Sequence, residues 1–155
     1  SEITKTQSAD SVITVNEAKI ISVSNSKFTM KDQQAVKITF GETEGNFCSI
    51  TIYRSSVAAG FKVKSVKRNN GDISTDCTWS GKYYVESVNH PTSSSILIES
   101  LNVEQKTAVI NISLSVVDSA PVFGGDRVSD DYLELTNIPL SINGKYFDNL
   151  ISRPQ

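Results

Sequence analysis

A chain of 155 residues carrying 15 basic and 17 acidic side chains has a formal charge of −2, which excludes the overall positive field that holds a nucleic acid backbone or an anionic membrane surface. No apolar run approaches the ~20 residues needed to cross a bilayer, so no transmembrane segment is expected. Hydrophobic residues at 38% and charged residues at 21% are both lean, and the uncharged Ser, Thr and Asn that fill the gap suit the wet strand faces and turns of an all-β protein.

The polar opening from Ser1 to Asp10 reads as a flexible lead-in. It starts without Met, which fits either a processed export signal or a chain trimmed at its start, and a lipid anchor would lie upstream of Ser1. Val12 to Val15 and Lys19 to Val23 are β-branched clusters separated by Asn16-Glu17-Ala18, the pattern of a strand, a kink and a continuation. Ser24-Asn25-Ser26 has turn chemistry, Lys27 to Met30 reads as a short strand, and Lys31 to Gln34 as a reversal. Val36, Ile38 and Phe40 then alternate with Lys37 and Thr39, and after Gly41 to Asn46 the alternation resumes with Cys48, Ile50 and Ile52 opposite Ser49, Thr51 and Tyr53. This is a hairpin. Glu42 and Glu44 in its loop read as a solvated turn rather than a cation site, because two glutamates without further fixed oxygens make a poor cage.

Ser55 to Gly60 combines hydroxyl caps, two alanines and a Gly stop, so one short helical turn is expected near residues 55–60 and no other helix. Phe61 and Val63 alternate with Lys62 and Lys64, leading to Lys67-Arg68 and an Asn70-Gly71 turn; lysines on such a strand keep a sheet edge from pairing. Ile73 to Trp79 and Lys82 to Val88 pair through a two-residue Ser80-Gly81 turn. Trp79 then opposes Lys82 and Cys77 opposes Tyr84, so one face carries Cys77, Trp79, Lys82, Tyr84 and Glu86 and the other Thr78, Tyr83 and Val85. Cys48 and Cys77 are either two separate buried thiols or a disulfide closing a loop of about 29 residues, for which the chain-entropy account gives roughly 3.5 kcal/mol. A bonded Cys77 turns Trp79 and Tyr84 into the core, whereas exposed they would form a stacking platform for a sugar ring or a protein hot spot.

Ser95 to Leu101 and Ala108 to Val116 make the most regular hairpin, with Ala108, Ile110, Ile112, Leu114 and Val116 on one face and Asn111, Ser113 and Ser115 on the other. Such a ribbon buries nothing alone, so a second layer must cover it. Ser119 to Asp131 is a long irregular connection, the length at which loops in compact domains become functional. Tyr132 to Thr136 and Ile138 to Ile142 restore alternation, and Pro139 places its strand at an edge or a bulge. Asn143-Gly144 turns the chain toward Tyr146 and Phe147, and Ser152 to Gln155 reads as a frayed tail.

The chemistry is sparse. His90 precedes Pro91 in a turn-like segment; a general-base role would need a nucleophilic Ser and a carboxylate beside it, and there is no G-x-S-x-G elbow. One His and two distant Cys give no zinc ligand set, the Gly124-Gly125-Asp126 loop with Asp130-Asp131 lacks the EF-hand spacing, and no P-loop or dinucleotide fingerprint occurs, so no metal and no cofactor are expected. The resulting expectation is a two-layer antiparallel β-sandwich, or failing that a flattened barrel, formed by residues 11–151 as a single domain. Functionally it points to a non-catalytic extracytoplasmic binding domain with a protein partner, of the immunity or inhibitor type, acting through end loops at Phe123, Asp126, Arg127, Asp130 and Asp131. The alternatives are a carbohydrate-binding module using Trp79 and Tyr84, and an enzyme with a cryptic site near His90.

Overall fold

The computed structural model describes residues 11–28, 33–43, 45–65, 73–87, 90–119 and 131–151. Ten strands join one hydrogen-bonded sheet: β1 (Val12–Val15), β2 (Lys19–Phe28), β3 (Gln33–Thr43), β4 (Asn46–Tyr53), β5 (Lys62–Ser65), β6 (Ile73–Trp79), β7 (Lys82–Val85), β8 (Ser93–Asn102), β9 (Thr107–Asp118) and β10 (Tyr132–Asn143). The order is β1-β10-β9-β7-β6-β4-β3-β2, with β8 paired to both β5 and β9.

The branch lies on one edge of β9. There β8 covers Thr107 to Ser115, and β7 covers only Val117 and Asp118. β7 and β8 both run antiparallel to β9, β7 ending at Val85 and β8 starting at Ser93. On either side of this fork the sheet folds over into two layers, β1-β10-β9-β8-β5 and β2-β3-β4-β6-β7, whose inward side chains meet in one cluster. Ala108, Ile110, Ile112, Leu114 and Val116 supply one wall, each at most 3% exposed, and Val36, Ile38, Phe40, Cys48, Ile50 and Ile52, all 0% exposed, supply the facing wall. The all-β sandwich is therefore built on the alternation that the sequence displays. It remains open, because β1 and β2 end the hydrogen-bonded order without pairing to each other, so among the described residues no barrel closes.

Pairing is antiparallel with one exception: β1 runs parallel to β10, with Val12 opposite Tyr132 and Val15 opposite Leu135. Parallel neighbours need a crossover, and Asn16-Glu17-Ala18 provides the start of one by carrying the chain from β1 in one layer to β2 in the other. The turn expected at Ser24-Asn25-Ser26 is not formed. Those residues pair with Lys37, Val36 and Ala35 within β2, a case of ladder pairing overriding local turn preference. Gly41 is required where β3 approaches its turn, since a Cβ there would collide with the backbone carbonyl of Asn46. Pro139 follows a bulge between Leu135 and Ile138, where Asn137 adopts φ 52°, and lies on the stretch of β10 that β1 does not reach.

The helical content also differs from expectation. Near residues 55–60 there is only a 3-10 turn, Arg54–Ser56, and a reversal through Gly60 at φ 88°, whose N–H donates to the Ile98 carbonyl at 2.8 Å. An α-helix, α1 (Gly144–Ile151), forms where only a turn leading to Tyr146 and Phe147 was expected. Gly144 does turn the chain, at φ 56°, but Phe147 and Leu150 then recur at helical spacing, and both are buried at 0% and 1% exposure. The helix packs against β2 and β10. Asn149 donates its side-chain amide to the Val23 carbonyl at 3.0 Å, and the Arg54 guanidinium donates to the carbonyls of Asn149 and Leu150 at 2.9 and 2.8 Å and to the Asn25 side chain. Arg54 thus satisfies carbonyls that the end of a helix leaves without partners.

Candidate functional site

The connection after β9 leaves and re-enters the sandwich at one end, and its base is tightly tied. Asp118 donates its N–H to the Asp131 carbonyl at 2.9 Å, and Ser119 donates its N–H to the Tyr83 carbonyl at 2.8 Å. The Asp131 carboxylate then joins two further elements. Its Oδ1 accepts the Ser11 N–H at 3.1 Å and the Ser11 hydroxyl at 3.0 Å, and its Oδ2 accepts from Lys82 Nζ at 2.7 Å. Lys82 also lies 3.9 Å from Asp118 Oδ2, and the Ser11 carbonyl accepts from the Tyr132 N–H at 2.9 Å. The start of β1, the β6–β7 turn and the flanks of the connection are clasped by one carboxylate. The β3–β4 turn joins the same end through Asn46, whose Oδ1 accepts the Ser80 N–H at 2.9 Å.

The Lys82 hydrogen bond, followed by the Ser11 backbone N–H, holds the Asp131 carboxyl below the ordinary carboxylate range, and the same contact pushes the Lys82 ammonium up. The signs give two limits. Asp131 contributes stability above its unfolded value of about 3.9 and loses it as pH falls through the lower folded value; Lys82 contributes below about 10.4 and loses it as pH rises through its higher folded value. Because the Lys82 side chain is 46% exposed, solvent screening limits the clasp to about 1 kcal/mol. Asp131→Asn is therefore expected to melt a few degrees below the parent at pH 7, with a smaller difference at pH 3. Thermal melts of both proteins at the two pH values check this, and an equal gap at both would show that the charge on Asp131 is irrelevant.

Of the acidic loop residues named from sequence, Asp131 is the clasp itself, while Phe123, Asp126, Arg127 and Asp130 lie outside the described residues. Trp79 and Tyr84 face inward, 4% and 1% exposed, on the same side as Cys77, whose sulfur is bonded to that of Cys48 directly opposite it in the ladder. A stacking platform made from Trp79 and Tyr84 is thus not presented to solvent, because both extend the core wall formed by the disulfide. The exposed aromatic of this hairpin is the neighbouring Tyr83, at 48%. It points to the outer face, the same side as Val85, and Val85, Val117, Tyr132 and Val12 form one row across β7, β9, β10 and β1. Val117 is fully buried although it stands outside the inner cluster, and Val12 is 52% exposed at the end of the row. The row lies beside the clasp. Tyr132 escaped the sequence reading as a site residue, with no signal to mark it, whereas the two-residue turn already placed Tyr83 on the face away from Trp79.

His90 is half-buried rather than fully exposed, and its surroundings are those of a turn. Ser87 Oγ accepts the His90 N–H at 3.2 Å and lies 3.3 Å from its Nδ1, while Thr92 Oγ1 accepts the Ser87 N–H at 3.1 Å. Ser87 itself is buried, and its oxygen accepts a backbone N–H within this turn. Among the described residues no group of three or more His, Cys, Asp and Glu side chains is gathered to hold a metal ion, and no helix is long and apolar enough to cross a membrane. Comparison of the chain with protein-family models, with curated proteins and with solved structures finds no match.

Proposed function

We propose that this chain is a non-catalytic binding domain that engages a protein partner through the clasped end of its sandwich. The observation that carries the reading is the anchoring of the Ser119–Asp131 flanks by Asp131, Lys82 and Ser11 beside an exposed Tyr83. Rigid scaffolds commonly present recognition loops in this way, and a tyrosine of large area and few rotamers is a favoured anchor at protein interfaces. An immunity or inhibitor protein is the concrete form, in which the segment bearing Phe123, Asp126, Arg127 and Asp130 enters a partner's cleft from the base that Asp131 holds. The Cys48–Cys77 bond supports an oxidising, extracytoplasmic setting for such a protein.

The experiment is affinity capture from the source organism with the parent, with Tyr83→Ala, and with residues 121–129 replaced by a short Gly-Ser linker. A specific band retained by the parent is expected to weaken by about tenfold or more with Tyr83→Ala, the size of a hot-spot truncation, and to vanish with the loop replacement. Equal retention by all three proteins would remove the end of the sandwich as the binding site.

A further inference from the structure

We propose that β1 is a docking edge, onto which an extended, uncharged segment of the partner adds as the next strand of the sheet; this rests on the binding-domain reading above and names the chemistry of what is bound. The argument comes from how the sheet's edges are treated. An open sheet presents rows of backbone N–H and C=O groups that recruit stray strands unless they are covered or made unattractive. Here most of the edge is protected. Helix α1 packs along β2, with Asn149 bonded to the Val23 carbonyl. β5 carries the exposed charge of Lys62 on its edge. The part of β10 beyond β1 carries Pro139 after a bulge.

β1 has none of these devices. Val12-Ile13-Thr14-Val15 contains no charge, no Pro and no Gly, three of its four residues are β-branched aliphatics, and among the described residues its ladder partner is β10 alone. Val12 is 52% exposed and Thr14 is exposed beside it, while Ile13 is only half-buried at the rim of the core. Ser11 is held by Asp131 at the start of the strand, so the edge is fixed in extended form before anything binds, which lowers the ordering cost of recognition.

A strand laid along β1 must keep the alternation of faces. Its inward side chains would fall beside Ile13, completing the apolar rim, and its outward ones beside Val12 and Thr14. That selects a segment with apolar or β-branched residues at every second position and no charge near its centre. A second copy of β1 satisfies the same rule when it pairs about Ile13 or Thr14, but a seam of four residues is far smaller than the roughly 1,600 Å² of a standard stable interface. A partner already seated on the clasped end has the remaining contact area at Tyr132 and Tyr83, in the row that ends at Val12. The occupant is therefore the partner's segment.

The probe is an end-blocked peptide, acetyl-Gly-Thr-Val-Thr-Val-Thr-Gly-amide, titrated into the full chain while backbone amide shifts and hydrogen exchange are followed by NMR. Saturable shifts and slowed exchange are expected at Val12 to Val15 and not at Lys62 to Ser65. Thr14→Pro, which blocks a ladder position, is expected to weaken the peptide about tenfold or more, the effect of losing one or two ladder hydrogen bonds. Should Thr14→Pro not fold, the exchange pattern of the parent still decides. No change at β1 with peptide at about 1 mM, the weak limit for such recognition, overturns the proposal, as does protection appearing at β5 instead. Sedimentation of the parent alone as a dimer that Thr14→Pro abolishes would assign the edge to a second copy and overturn the partner strand. Peptide binding undiminished in Tyr83→Ala, alongside failure of capture by the clasped end, would separate loss of the end site from loss of the edge.

Discussion

Phe147→Ala is expected to destabilise the protein by about 3–5 kcal/mol, the usual cost of truncating a fully buried aromatic. The magnitude follows from how α1 is held. At eight residues it is too short to be stable by its own hydrogen bonds, so its existence depends on the side chains it inserts, Phe147 at 0% and Leu150 at 1% exposure. Without Phe147 the helix loses its largest anchor, the Arg54 contacts to the Asn149 and Leu150 carbonyls loosen, and β2 loses the element that packs along it. Urea denaturation should show a lower midpoint, together with a new tendency to associate through the uncovered β2 edge. Tyr146→Ala is the control, since Tyr146 is 37% exposed on the same helix, and its expected change lies within about 0.5 kcal/mol. Equal effects from the two substitutions would mean that α1 is not held by its inward face.

Breaking the Cys48–Cys77 bond is expected to cost about 3.5 kcal/mol, from the loop entropy released when residues 29 apart are no longer joined in the unfolded chain. The two residues face each other across β4 and β6, and both are 0% exposed. Two consequences follow from burial. Native protein should resist dithiothreitol until it opens, and replacing both cysteines with Ala should cost somewhat more than reduction, because it also removes two buried sulfurs. Urea midpoints for the oxidised, reduced and doubly substituted proteins test this ordering. A difference below about 1 kcal/mol between oxidised and reduced protein would mean that the ladder, not the bond, restricts this loop. The same bond fixes the orientation of Trp79 and Tyr84, since residues two apart on a strand and opposite one another in a pair share a face.

What could be read in the residues was what repeats with a short period. Ala108 to Val116 and Val36 to Ile52 show the two inner walls because burial on one side of a strand imposes a period of two. The Ser80-Gly81 turn announced its hairpin and, through it, which tyrosine turns outward: Ser80 and Gly81 adopt φ 52° and 80°, as a two-residue reversal requires. The partners across the fold were not legible. Nothing in Val12 to Val15 says that its neighbour is β10, 120 residues later and parallel, and nothing in Asp131 says that it will meet Ser11 and Lys82. Helix α1 was missed because Gly144 breaks the strand as expected of a turn, while the apolar spacing of Tyr146, Phe147, Leu150 and Ile151 is too short to stand out from an irregular end. The fork at β9 was hidden for a different reason. It depends on β7 and β8 sharing one edge of β9, and the turn-like segment around Pro91 does not say that the strands before and after it meet the same neighbour.

The proposed function places recognition at the clasped end rather than the end closed by α1. Those ends are separated by the length of β10, which starts at Tyr132 beside the clasp and finishes at Asn143 beside the helix. A photo-crosslinking amino acid placed at Tyr83, and in a second protein at Tyr146, reads the two directly in the source organism, since both side chains are exposed. A discrete covalent adduct from position 83 and none from position 146 is the expected result. An adduct from position 146 alone, or from neither, would contradict it.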